Sequence, residues 1–163
     1  ANLRIESNNL AEERTTLNSA VDTMSSQLDT LNPDLVIWQV GLNDIAARPP
    51  VVRFEKDLAS GITLLAARPQ TDLLLLDVPF YPGLELLLND AEYRRVIELR
   101  ANLDELPLFR THDLMAYWSE RRTFESNMPA NLDTDQSLYL ADKVHYCLGN
   151  VMAAYVARVA TKK

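Results

Sequence analysis

Asp142 and His145 stand three residues apart in the run Asp142-Lys143-Val144-His145, close to the C-terminal end of the chain. A carboxylate at that spacing can accept from one imidazole nitrogen, which fixes the tautomer and frees the other nitrogen to act as a general base. The same residues also suit a helix start, with Asp142 as the cap and His145 in the first turn. Asn43 follows Gly41 at the end of an apolar run. A side-chain amide there can donate to a developing oxyanion, and removal of such a donor typically costs about 3 kcal/mol of transition-state stabilisation. An Asx turn that closes a strand uses the same residue types. His112, followed by Asp113, has the context of a helix start and reads as structural. Lys143 reads as a solvated side chain and Cys147 as a small buried residue. Tyr81, Trp118 and Tyr146 could line a carbohydrate site, although aromatic side chains more often pack in cores.

These groups need a scaffold, and the pattern of apolar residues predicts one. Leu35-Val36-Ile37-Trp38-Gln39-Val40 is a continuous apolar, β-branched run without alternation, as expected of a strand covered on both faces in a parallel sheet. Leu73-Leu74-Leu75-Leu76-Asp77-Val78 is a second such run, and Pro107-Leu108-Phe109 a shorter third. Leu3-Arg4-Ile5-Glu6 reads as a short edge strand. Helical stripes lie between them: Leu17, Val21, Met24, Leu28 and Leu31; then Phe54, Leu58, Ile62 and Leu65; then Tyr93, Val96, Ile97 and Leu103. Gly61 weakens the second of these helices by about 1 kcal/mol. The last stripe comprises Leu148, Val151, Met152, Tyr155, Val156 and Val159. Residues 123–140 show no period and read as a long surface loop ahead of that final helix. Strands alternating with helices predict βαβ units, an α/β fold and a single domain over residues 1–163.

Bulk properties narrow the function. The formal net charge of −7, with acidic residues scattered along the chain, argues against a nucleic-acid partner. A single cysteine excludes an internal disulfide framework, and two histidines without paired spacing argue against a metal centre. No apolar run approaches the roughly 20 residues that span a bilayer. The start, Ala1-Asn2-Leu3-Arg4, shows no secretory signal, but a mature form would read the same way, so the compartment stays open.

Taken together, the strand Pro33-Asp34-Leu35-Val36-Ile37-Trp38-Gln39-Val40 running into Gly41-Leu42-Asn43-Asp44 resembles the third sequence block of SGNH (GDSL) hydrolases. Asp142-Lys143-Val144-His145 resembles their fifth block. Leu76-Asp77-Val78-Pro79-Phe80-Tyr81-Pro82 is similar to the family's strand and loop before the substrate groove. Pro107-Leu108-Phe109-Arg110 and Leu114-Met115-Ala116-Tyr117-Trp118 look like the segment that follows. The resemblance implies a three-layer, doubly wound parallel sheet of flavodoxin-like type. It implies a serine ester hydrolase for acyl or acetyl esters, acting without metal or cofactor on an acylated carbohydrate or a lipid ester. His145 would be the general base and Asp142 its orienting carboxylate. Asn43 would donate to the oxyanion, with Gly41 allowing close backbone approach. Ala11 falls at or near a glycine of the second block whose N–H is a further oxyanion donor, and alanine keeps that N–H.

The departure is in the first block, a strand followed by Gly-Asp-Ser that holds the nucleophile, which nothing here matches. Without that central strand the sheet is expected to be incomplete. Three explanations are open. In the first a separate N-terminal fragment carries the nucleophile; in the second the protein is a non-catalytic relative that binds a glycan or protein partner; in the third Ser7, after Ile5-Glu6, is the attacking residue.

Overall fold

The computed structural model describes residues 5–80, 90–124 and 134–160. Its elements run in the order α1 (Leu17–Leu31), β1 (Leu35–Gln39), α2 (Leu42–Ala47), α3 (Val51–Ala66), β2 (Asp72–Leu76), α4 (Ala91–Leu103), β3 (Leu108–Phe109), α5 (Thr111–Glu120) and α6 (Thr134–Ala160). The three strands form one parallel sheet in the order β1-β2-β3. Leu35 pairs with Asp72 and Gln39 with Leu76, and the ladder continues past the strand ends through Val40 N–H donating to the Leu76 carbonyl at 3.0 Å.

Alternation of side chains along the strands divides the core into two layers. On one face Val36, Trp38, Leu73 and Leu75 pack against Leu17, Met24 and Leu28 of α1, Phe54, Leu58, Ile62 and Leu65 of α3, and Tyr93, Ile97 and Ala101 of α4. On the other, Leu74, Leu76 and Phe109 pack against Leu114 of α5 and Leu148, Met152, Tyr155 and Val156 of α6. The result is the α/β architecture that the sequence pattern predicts, in the three layers that the family resemblance implies. The helical stripes of α1 and α3 pack into the core as expected, whereas the α6 stripe is only half-buried and its Val151 is exposed.

Four expectations are corrected. Ile5 and Glu6 lie in irregular backbone, and Ile5 is 79% exposed, so they form no edge strand; among the described residues no strand lies beside them to supply a ladder. Leu103 is 73% exposed, because the buried stripe of α4 advances in steps of four through Tyr93, Ile97 and Ala101. Residues 134–140 are helical rather than loop, since Thr134–Ala141 contains neither Pro nor Gly to stop α6. Asp142 and His145 therefore sit inside α6 and not at its start. The remainder of the expected loop, residues 125–133, together with Leu3, Arg4 and Tyr81 to Gly83, lies outside the described residues.

β1 is buried on one side only. Leu35 and Ile37 are 38% and 46% exposed, whereas four of the five residues of β2 are buried. Among the described residues, β1 has a partner on one edge, and α5 and α6 cover the second face only over β2 and β3. A strand of this composition is normally paired on both edges and covered on both faces, because exposed ladder groups and apolar side chains invite association.

Candidate active site

The turn that leaves β1 is the best-defined part of the site. Gly41 has φ +98°, a conformation that a side chain disfavours, and it caps the short helix α2. A Cβ at this position would come within 3.1 Å of Val78 Cγ2, 3.4 Å of Ile97 Cδ1 and 3.5 Å of the Phe54 ring. Glycine thus lets the turn settle onto the core at the carboxyl end of the sheet, where open parallel sheets bind their ligands.

Two side chains of this turn hold the start of α1. The Asn43 amide donates to the Thr15 carbonyl at 2.9 Å. Both carboxylate oxygens of Asp44 accept the Leu17 N–H at 3.1 Å. Asp44 thereby does for α1 what an N-cap side chain normally does from within the same segment, while Ser19 Oγ accepts the Thr16 N–H at 2.9 Å. Asn43 keeps its second amide N–H for another acceptor.

The same device recurs after β2. Asp77 is buried and accepts the His112 N–H at 3.0 Å, so it caps α5 from across the sheet. Burial raises the carboxyl pKa of both Asp44 and Asp77 above the usual 3.8, more than the backbone donors lower it. A carboxyl whose pKa is raised by folding favours the fold when protonated. Its contribution is full below 3.8 and lost as pH rises through the raised value. The stability of the wild type relative to Asp77→Asn should therefore increase as pH falls from neutral towards 4, because asparagine keeps an acceptor but does not titrate. Denaturant midpoints of the two proteins across that range test this, and parallel curves would remove Asp77 as the titrating group.

The other expected site residues are more dispersed. Ala11 lies on exposed irregular backbone, and its N–H is taken by Asn9 Oδ1 at 3.0 Å. Ser7 is exposed on the same stretch. Asp142 and His145 are exposed on α6 at i, i+3, and no hydrogen bond or ion pair joins their side chains or links either to the Asn43 turn. Tyr146 is exposed and Cys147 half-buried, while Trp118 packs edge-on against Phe124 at 5.2 Å. A shallow groove between β3 and α6, lined by Phe109, Val151, Ala154, Tyr155 and Arg158, includes none of these residues. Among the described residues no group of three or more His, Cys, Asp or Glu is placed to hold a metal, and no helix is long and apolar enough to cross a membrane.

Asp44 and Asp77 also shape the site, and no motif in the sequence marks them. Each follows a strand end, which was the available signal, but their acceptor roles depend on segments 27 and 35 residues away.

Known proteins place this architecture. The psychrotrophic esterase EstA from Pseudoalteromonas sp., solved in a form inhibited by monoethylphosphonate, superposes with a TM-score of 0.57 at 13% identity, covering 86% of this chain and 74% of that one. A serine-to-alanine mutant of the esterase AlinE4 superposes with a TM-score of 0.54 at 16% identity, covering 85% and 72%. At these identities the likeness is one of fold. No curated protein matches the sequence. A family profile matches residues 1–162, and on that match the chain, with its esterase-like α/β fold and no Gly-Asp-Ser block, belongs to the non-GDSL lipase-like family.

Proposed function

We propose that the protein is a serine ester hydrolase for acyl or acetyl esters, of which acylated carbohydrates and lipid esters are the candidate substrates. The observation that carries this reading is the Gly41–Asp44 turn: a left-handed glycine at the carboxyl end of a parallel strand, followed by an amide with one N–H still available. In the reaction a serine attacks the ester carbonyl while His145 takes its proton, with Asp142 holding the ring. The oxyanion is stabilised by the free N–H of Asn43 and by the Ala11 N–H, which exchanges its exposed bond to Asn9 for one to substrate. His145 then returns the proton to the leaving alkoxide, and water repeats the sequence on the acyl-enzyme.

The serine is best supplied by a segment that adds to the edge of β1 that has no partner among the described residues, which would place it beside the Asn43 turn and cover Leu35 and Ile37. A separate N-terminal fragment would serve as well as a covalently joined one. Ser7 is the less favoured source, because its backbone is not at the end of a strand. The second reading, a non-catalytic module that binds a glycan or protein partner, draws on the unjoined Asp142 and His145 side chains.

A fluorophosphonate probe separates the two. The expected result is stoichiometric labelling of one serine, identified by peptide mapping, with denaturing mass spectrometry reporting whether it lies on this chain or on a second polypeptide. Folded protein that binds a ligand yet takes no label would replace the hydrolase with the binding module.

A further inference from the structure

Tyr146 directly follows the proposed base on α6 and is 74% exposed. Aromatic rings ordinarily bury most of their surface or pair with a neighbour, and the other described tyrosines do so. Tyr93 packs edge-on against Phe54 at 5.1 Å, Tyr155 against Phe109 at 5.5 Å, and Tyr117 lies under the Arg121 guanidinium at 5.5 Å. Tyr146 has no ring contact, and its hydroxyl no hydrogen bond, among the described residues. Residues three and four apart share one face of a helix. Tyr146 therefore stands beside Asp142 on one side and beside Gly149 and Asn150 on the other, while His145 neighbours Asp142 and Gly149. Asp142, His145 and Asn150 are exposed as well.

Packing does not account for Gly149. Glycine inside a helix costs about 1 kcal/mol relative to alanine. At Gly41 and Gly61 a Cβ would meet the core, but at Gly149 it would find no atom within 4 Å. What this glycine provides is a shallow recess on the face that carries both His145 and Tyr146. Asn150 Nδ2 donates to the Tyr146 carbonyl at 3.0 Å, which holds the amide at the border of that recess. Its second N–H and its carbonyl oxygen remain for a ligand.

We infer that Tyr146, Gly149 and Asn150 form a sugar subsite beside His145, so that of the two candidate substrate classes the protein takes acylated carbohydrates. The inference rests on the ester hydrolase reading. A pyranose ring offers what this face can receive: one apolar C–H face to stack on the phenol, and a rim of oxygens for the Asn150 amide. An acyl chain needs a continuous apolar trough, and here a single ring stands among polar neighbours. The apolar groove between β3 and α6 includes neither His145 nor Tyr146.

The test is steady-state hydrolysis of methyl tri-O-acetyl-β-xylopyranoside and of ethyl acetate by the intact wild type, Tyr146→Ala, Tyr146→Phe and Gly149→Leu. The quantity read is the ratio of kcat/KM for the sugar acetate to that for ethyl acetate. In Tyr146→Ala this ratio should fall roughly tenfold, through a higher KM for the sugar acetate. Tyr146→Phe, which keeps the ring, should hold it within about threefold of wild type. Gly149→Leu, which fills the recess, should lower it roughly fivefold. An unchanged ratio in Tyr146→Ala and Gly149→Leu, equal loss on both substrates, or a wild type that cleaves ethyl acetate but not the sugar acetate overturns the subsite. A wild type that hydrolyses neither ester sinks the hydrolase reading instead. Equilibrium dialysis against the same xyloside then decides the subsite by itself. Binding that weakens roughly tenfold in Tyr146→Ala upholds it, and binding that is absent or unaltered removes it.

Discussion

His145→Ala is expected to lower ester turnover by roughly a thousandfold or more while the thermal midpoint stays within about 2 °C of wild type. The two halves of that expectation have different sources. His145 is exposed on α6, and no described neighbour accepts or donates a hydrogen bond to its side chain, so truncation removes little that holds the fold. A general base in a serine hydrolase is, by contrast, part of a unit whose loss removes nearly all the advantage of the nucleophile. Activity and stability should thus separate cleanly at this position. Asp142→Asn, which keeps the shape but offers an N–H in place of the carboxylate oxygen that the proposed mechanism sets against the ring, should cost more than tenfold and less than His145→Ala. Initial rates at saturating substrate, read beside a thermal melt, decide the matter. Retention of more than a tenth of the activity by a folded His145→Ala protein would sink the assigned role.

The second large effect concerns Gly61. Alanine in place of glycine within a helix is ordinarily stabilising by about 1 kcal/mol. Here the opposite is expected. A Cβ on Gly61 would approach Trp38 Cζ3 to 2.6 Å, with Cη2 closer still, and would lie 3.1 Å from Val21 Cγ2. Trp38 is buried on the α1/α3 face of β1, and a rigid bicyclic ring has no flexible end to move aside. Gly61→Ala should therefore destabilise by roughly 1–3 kcal/mol despite its better helix propensity, with a thermal midpoint lowered by several degrees. Trp38→Phe in the same background opens space above position 61 and should recover part of the loss. A Gly61→Ala protein that melts at or above the wild-type temperature would show that α3 can shift outward at little cost.

The two cases illustrate how far the chain could be read residue by residue. The spacing of Leu17, Met24 and Leu28, and of Phe54, Leu58, Ile62 and Leu65, was sufficient to predict the α/β class and the buried helix faces, whereas the unbroken run Leu35–Val40 predicted a strand covered on both faces and Leu35 and Ile37 are exposed. Each such pattern is a property of a few consecutive turns and requires no knowledge of what lies opposite. The residues of the candidate site were legible in the same way, as types at strand ends and helix positions, and the family likeness gave them roles. Their mutual placement was not legible. Gly61 reads in one dimension as a weak point of α3, and only packing sets Trp38 above it. Asp44 and Asp77 became helix caps only when α1 and α5 were brought to them, across separations of 27 and 35 residues. His112 read as an ordinary helix-start residue, and only the tertiary structure set its ring between Phe80 and Asp90. Hydrophobic periodicity is written locally and survives in one dimension. Steric exclusion, cross-element capping and the burial of a carboxylate or an imidazole depend on pairs of segments remote in sequence, and only their packing decides them.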